Sequence, residues 1–252
     1  MLAMAVAIIS CKNDDESGTP QAENVSVAFQ FTQNWDGAEI ANSDYGSTVY
    51  TNEHGEELKL SKLVYLMSDI TFTATDGTVY DAGDYNLIDA RNGSGLTFTP
   101  DIEIPEGTYN VSLTYGFDDE DNIDGAYLDL NSSDGSWSVP AMLGGGYHFM
   151  RMEGFYTNDA SEETAFQFHN IRAAQPGTDP LVTTDTSIPV DLGQITIEQG
   201  TTIEVKMDVS EWFKNPNVWN LNDLYEVLMP NYVAQIMMNA NGQTVFSKGS
   251  VN

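Results

Sequence analysis

Short segments in which apolar and polar residues alternate recur along most of the chain, at a spacing of about ten residues, with Gly, Pro or Asp-Gly between them. Residues 25–31 and 109–117 are clear examples. Because strand side chains alternate between two faces, each segment predicts a half-buried strand. Many short strands at this spacing favour an all-β fold, and we expect an antiparallel β-sandwich of the Ig-like or jelly-roll type.

The C-terminal region departs from this strand pattern. Residues 211–214 predict a short helical turn, and apolar residues at helical spacing predict a second short helix over residues 220–228. A last pair of strands is predicted over residues 232–238 and 243–247. We therefore expect one or two short helices near the C-terminus of an otherwise all-β domain.

The amino terminus has the features of a lipoprotein leader. Residues 1–10 are apolar but too few to span a bilayer, so we interpret them as a lipoprotein signal peptide. Residues 8–11 resemble a bacterial lipobox, which favours lipidation of Cys11 over a buried structural role for this single cysteine. The acidic, flexible tether predicted over residues 11–24 resembles the export signal of surface lipoproteins in Bacteroidetes-type bacteria. We expect an outer-membrane protein anchored through Cys11 and facing the cell exterior.

The charge of the chain restricts its partners. The 252 residues include 38 acidic and only 9 basic side chains, for a formal net charge of −29. A chain this acidic is repelled by phosphate backbones, which excludes nucleic-acid binding. Cations are the natural small partners. Residues 25–252 are long enough for a single large β-sandwich domain.

Two of the three histidines lie in one predicted hairpin, over residues 141–172. His148 and His169 fall on strands expected to be neighbours, and alternation places His148 on the same strand face as Met150 and Met152. Histidine and methionine together suit copper better than calcium or magnesium. The alternative interpretation is ordinary core packing, with each imidazole satisfied by a hydrogen bond.

An acidic loop over residues 118–135 interrupts the strands. Asp119, Asp121 and Asp124 cluster beside a glycine, so their hard oxygens are candidate ligands for calcium. In a twelve-residue calcium loop the closing ligand is a bidentate Glu, but the corresponding residue here is Asn131. We therefore favour a solvated acidic loop with at most weak calcium binding.

Catalytic motifs are missing from the sequence. It contains no Walker-type loop, no G-x-S-x-G elbow and no H-E-x-x-H helix, and the abundance of acids makes any carboxylate pair uninformative. We therefore expect a protein that is not an enzyme.

Several segments, in the same order, resemble the MbnP-like copper-binding family, which is named for the periplasmic protein of methanobactin gene cassettes. The most specific is the run G-Y-H-F-x-x-x-E-G followed by F-x-F-H; the segments span residues 29–37, 58–71, 85–89, 138–154 and 166–172. This resemblance implies an extracytoplasmic β-sandwich that binds copper, as Cu(I), through histidines. It makes His169 and then His148 the first candidate ligands. Some members are reported to carry a tryptophan oxidised to kynurenine by a di-haem partner enzyme.

One position departs from the family pattern. Similar members have a histidine in the strand before N-W-D-G, where this chain has Gln33, and glutamine is a poor Cu(I) ligand. We expect a methionine such as Met150 to complete the site. Trp35 lies on the same predicted strand face as Gln33, which makes it the candidate for an oxidised tryptophan.

Two functional hypotheses follow. The first is a surface-exposed lipoprotein that binds copper and supports its acquisition or its transfer to an outer-membrane transporter, such as a TonB-dependent transporter or another barrel. The second is a metal-free accessory or structural subunit of an outer-membrane protein complex, an alternative that Gln33 and the low histidine count favour.

Overall fold

The computed structural model describes residues 23–83, 85–132 and 137–252. The predicted signal peptide, Cys11 and nearly all of the predicted tether lie outside the described residues. The strands are β1 (Asn24–Val25), β2 (Ala28–Trp35), β3 (Ala38–Glu39), β4 (Tyr50–Thr51), β5 (Glu57–Ala74), β6 (Val79–Asp81), β7 (Tyr85–Asp89), β8 (Thr97–Phe98), β9 (Ile104–Pro105), β10 (Gly107–Tyr115), β11 (Met150–Thr157), β12 (Glu163–Asn170), β13 (Ala173–Gln175), β14 (Val182–Thr184), β15 (Ile188–Ile197), β16 (Thr202–Asp208) and β17 (Phe246–Val251). The α-helices are α1 (Leu128–Ser132) and α2 (Tyr232–Gly242), and short 3₁₀ turns cover Asn42–Asp44, Ala141–Leu143 and Val209–Phe213.

The larger sheet is organised around the long strand β5. Its strand order is β12-β11-β5-β10-β15, and β4, β6 and β7 also pair with β5. All of these pairs are antiparallel. Residues 63–68 of β5 are all buried, which means that both faces of the sheet are covered at its centre. The histidine hairpin, β11 and β12, forms one edge of this sheet.

The smaller sheet packs against the larger one and completes a sandwich. Its order is β17-β16-β2-β3, with β8 also paired to β2. The β2–β16 pair is parallel, so the sheet is mixed rather than purely antiparallel. Rings from the two sheets meet in the core, where Phe29 lies 6.0 Å from Phe72 and Tyr65 lies 6.2 Å from Phe246. The predicted all-β sandwich with few helices is confirmed.

The C-terminal elements differ from the sequence prediction. Residues 220–228, predicted to be helical, form turns instead. The Asn220 side chain accepts a hydrogen bond from the backbone of Asn222 at 2.9 Å and donates to Asp223. The backbone N–H of Leu224 donates to the carbonyl of Asn220 at 3.0 Å, so a single turn forms at this point. In addition, Val227 has a positive φ of 56°, which a helix does not allow. The prediction of a helix here is wrong.

A helix forms over Tyr232–Gly242, where a strand was predicted over residues 232–238. Asn231 caps it, because its side chain accepts a hydrogen bond from the backbone N–H of Ala234 at 3.1 Å. Ala234, Gln235 and Met238 are buried at helical spacing. The strand predicted just after it begins later, at Phe246. No helix in the described part of the chain is long and apolar enough to cross a membrane.

Candidate metal centre

His148 and His169 lie side by side on the outer face of the larger sheet. Their ring centroids are 5.6 Å apart. His169 sits on β12 directly opposite Arg151 of β11, so the hairpin register determines its position. Phe168 and Asn170, the neighbours of His169 in β12, point into the core, so His169 points to the opposite face. The expectation that the two histidines would be neighbours is met.

Alternation along the strand predicts that His148 shares a face with Met150 and Met152, but the structure does not place them on one face. Strand β11 begins only at Met150, so His148 lies in the segment that precedes the strand. The backbone N–H of His148 donates to the carbonyl of Trp137. Regular alternation does not extend through this segment. As a result His148 faces the same side as Arg151, while Met150 and Met152 are buried in the core.

The hydrogen bonds of His148 define its tautomer. Its Nδ1 lies 2.9 Å from the carbonyl oxygen of Trp137, which can only accept, so Nδ1 carries the hydrogen. The other ring nitrogen, Nε2, therefore presents a lone pair, and it lies 3.0 Å from Sδ of Met229. Burial, followed by the positive charge of Arg151, lowers the pKa of His148 to about 3. The ring thus stays neutral and available as a ligand across physiological pH.

His169 is oriented by an acidic partner. Its Nε2 lies 3.0 Å from Oε1 of Glu153, and the Nζ of Lys62 lies 3.3 Å from the same oxygen. If Nε2–H donates to the carboxylate, Nδ1 keeps its lone pair. Metal-binding histidines in proteins commonly donate their second N–H to a carbonyl or carboxylate in this way. Both histidines satisfy that pattern, one through Trp137 and the other through Glu153.

An irregular segment covers the pair. Residues 227–230 form one wall of a cavity of about 180 Å³, and Gln167 and His169 form the opposite wall. The segment is attached to the sheet edge where the backbone N–H of Gln167 donates to the carbonyl of Tyr225 at 2.6 Å. At its other end, Gln235 of α2 donates to the carbonyl of Leu228 at 3.1 Å. These anchors hold Met229 over His148.

The donors of this site are two imidazoles and one thioether. In the described ranges, no group of three or more His, Cys, Asp or Glu side chains is arranged to hold a metal, so a metal here would depend on Met229. Imidazole together with thioether is a soft donor set that fits Cu(I) and fits calcium or magnesium poorly. The Nε2 lone pair of His148 faces Sδ of Met229, so two acceptors meet with no hydrogen between them. A bound cation would satisfy both acceptors.

Comparison with known proteins identifies the family of the chain. The family model for MbnP matches residues 24–238. The chain belongs to the MbnP family. The chain is similar to the solved structure of MbnP from Methylosinus trichosporium, with a TM-score of 0.55 and 14% sequence identity. The match covers 90% of this chain and 99% of that one. At this identity the likeness establishes the fold alone. Among curated proteins no match was found.

The methionine that contacts His148 in this MbnP-family chain is not the one expected from the sequence. The structure places Met150 in the core, on the opposite face of β11 from the histidines. Met229, which lies 81 positions from His148 in the chain, takes the place next to the ring. No local pattern in the sequence indicated Met229, because it stands in an aperiodic segment before a proline.

Gln33 and Trp35 lie apart from this centre. Both face the core from β2, as alternation predicts, but β2 belongs to the smaller sheet. Gln33 donates to the hydroxyl of Tyr65 at 2.9 Å, which satisfies it as a buried structural residue. Trp35 stacks on Tyr50 with ring centroids 4.7 Å apart. The tryptophan that lies against His148 is Trp137, at 5.6 Å between centroids.

The three candidate calcium ligands point to different partners. Asp119 forms an ion pair with Arg172 at 3.2 Å, and Asp124 lies against Gly145. Asp121 lies near Asp69; burial first, and to a lesser extent this acidic neighbour, raises the pKa of Asp69 to about 6. Within the described residues these carboxylates do not converge on one point.

Glu153 predicts a pH dependence of stability. The hydrogen bond from His169, assisted by Lys62, lowers the pKa of Glu153 from 4.5 to about 2. Stabilisation from this carboxylate is therefore present above pH 4.5 and is lost as the pH falls from 4.5 towards 2. We expect the Glu153→Gln variant to lose less stability than wild type over this window in urea unfolding experiments. The exposed Glu163→Gln variant is the control, and an equal pH profile for wild type and Glu153→Gln would contradict the assignment.

Proposed function

We propose that this protein captures copper, as Cu(I), between His148, His169 and Met229. The observation that carries the proposal is the Nε2 lone pair of His148 facing Sδ of Met229 at 3.0 Å, with the second imidazole beside it. Each ring is held in a ligand tautomer by a second hydrogen bond. Membership of the MbnP family supports a copper-related role. The role is one of binding, with no catalytic step.

The cellular part of the proposal comes from the amino-terminal sequence. Lipidation at Cys11 would attach the protein to the outer membrane, and the acidic tether would display it at the cell exterior. From there it would transfer copper to an outer-membrane transporter, of the TonB-dependent kind or another barrel. The net charge of −29 supports a role at a site where cations are collected.

The proposed partner oxidase would act on a different tryptophan from Trp35, the candidate from the sequence. A di-haem enzyme that oxidises a tryptophan next to copper would find Trp137, which lies against His148, rather than Trp35, which is stacked in the core. We therefore propose Trp137 as the residue in which kynurenine would be found. Peptide mass mapping of the native protein distinguishes the two tryptophans.

Elemental analysis tests the proposed function most directly. The mature protein is purified from its native membrane without chelators, and its metal content and intact mass are measured. We expect about one copper per chain, as a single mononuclear site requires. Absence of metal, together with no uptake of added Cu(I) under anaerobic conditions, would overturn the proposal.

The alternative, a metal-free accessory subunit of an outer-membrane complex, has one observation in its favour. Leu128 and Met142 are 79% and 81% exposed, so a partner subunit could cover these two large apolar side chains. Co-purification with a barrel protein in a preparation that contains no copper would support this second function. Copper in the same complex would instead support capture and transfer.

A further inference from the structure

Three segments of the chain meet at the run of glycines over residues 144–146. All three glycines have a positive φ, between 65° and 98°. A Cβ on Gly144 would lie 2.9 Å from the side chain of Thr183, and a Cβ on Gly146 would overlap the side chain of Asn122. Because glycine alone suits both this backbone conformation and the close approach, the neighbouring segments lie directly against the run. We call three segments together the glycine junction: residues 122–124, 140–146 and 181–183.

Every segment of the glycine junction exposes a large apolar side chain. Ile123 is 58% exposed, Met142 is 81% exposed and Val182 is 47% exposed. Leu181, beside Val182, is 38% exposed. Single exposed apolar residues are ordinary on a protein surface, but these four come from segments that meet at one place. Methionine is also enriched at protein interfaces. The junction therefore has the composition of the apolar centre of an interface.

The charge around this apolar centre is acidic. Residues 118–131, which run through the junction, contain six acidic side chains and no basic one. Asp124 lies directly against the glycine run. Arg172 donates to the carbonyl of Gly144 at 2.8 Å, but it also pairs with Asp119 at 3.2 Å. The rim of the junction is therefore negative.

The glycine junction lies at the tip of a hairpin-like excursion that carries part of the candidate metal centre at its base. At the base, the backbone N–H of His148 donates to the carbonyl of Trp137 at 2.9 Å. Nearer the tip, the backbone N–H of Val139 donates to the carbonyl of Gly146 at 2.8 Å. A partner docked on Met142 would therefore be held close to the metal centre.

We propose that the glycine junction docks a protein partner whose contact surface has an apolar centre and a basic rim. Charge selects this occupant. A second copy of the chain would bring another net charge of −29, and an anionic lipid surface is negative as well, so both are repelled. A basic rim is attracted instead, which speeds association and fixes the orientation of the partner. This inference goes beyond the proposed function, because docking does not require bound copper.

The test is photo-cross-linking of the full-length protein in its native cells. A photoreactive phenylalanine analogue replaces Met142 or Val182 in the junction, one position at a time. The controls place the analogue at Val79 or Val218, which are 58% and 49% exposed outside the junction. Mass spectrometry identifies the cross-linked molecule and its contact peptide.

A second set of variants tests the acidic rim. Glu120→Gln and Asp124→Asn together remove two exposed carboxylates and keep the ion pair of Asp119. Asp101→Asn and Glu103→Gln remove two exposed acids outside the junction and serve as the control. We expect cross-linking from the junction to fall about fivefold in the rim variant, the effect of losing two exposed ion pairs with the partner. The control variant should cross-link as the wild type does.

We expect one partner protein to cross-link at both junction positions and at neither control position, through a peptide rich in Lys or Arg. Cross-linking to a second copy of the chain or to lipid would overturn the inference. Equal yields at the control positions, no adduct at the junction, or an unchanged yield in the rim variant would also overturn it. Unfolding in urea checks that each variant is folded. Failure of the wild-type protein to bind copper overturns the proposed function and leaves this inference standing.

Discussion

Replacing both His148 and His169 by alanine is expected to abolish stoichiometric Cu(I) binding. The double variant removes both imidazoles and leaves Met229 as a lone thioether, which cannot hold the ion against a competing ligand. Each single alanine variant should weaken binding by at least ~10–100-fold, the loss seen in other proteins when only an outer-shell partner of a ligand is removed. The measurement is an anaerobic titration against a chromogenic Cu(I) chelator.

The chain provides matched controls for this experiment. His54 is the third histidine, and it lies on the turn before β5, where its Nδ1 contacts Glu56 at 2.8 Å. His54→Ala should bind copper as the wild type does. Met229→Leu, which keeps the size of the side chain and removes the sulfur, should give an intermediate loss, whereas Met142→Leu at an exposed position should give none. Unchanged Cu(I) affinity in the double variant would refute the assignment of the site.

Replacing Phe168 by alanine is expected to destabilise the protein by about 3–5 kcal/mol, the range for truncating a buried aromatic side chain. Phe168 is 1% exposed. Its ring lies 4.7 Å from Trp219 and 5.5 Å from Phe213, so its removal leaves a cavity between the hairpin and the irregular C-terminal segment. The free energy of unfolding is measured in urea on the metal-free protein.

A second phenylalanine on the same hairpin serves as the control. Phe155 on β11 is 43% exposed, so Phe155→Ala should cost about 1 kcal/mol or less. Equal losses of stability in the two variants would show that the aromatic cluster around Phe168 contributes little. Because His169 follows Phe168 directly, we also expect Phe168→Ala to weaken copper binding, through displacement of β12.

Most of the strand pattern was accessible from the sequence because strand burial is a local property. β2 and β10 bury alternate residues as their sequences predict. The predictions for residues 220–228 and 232–238 were wrong for an equally physical reason. Short apolar runs are compatible with more than one backbone conformation, and side-chain hydrogen bonds at Asn220 and the cap at Asn231 decided between them.

The candidate site also has one part that the sequence predicted and another part that it did not. The sequence alone determined that His148 and His169 would be neighbours, because two strands joined by one hairpin loop have little choice of partner. It did not determine the direction of the His148 side chain, since alternation holds only where the backbone is regular and β11 begins two residues later. Only the tertiary structure placed Met229 and Trp137 against His148 and left Met150 in the core. Those contacts join segments distant in the chain, and packing of the whole sandwich, rather than any local preference, brings them together.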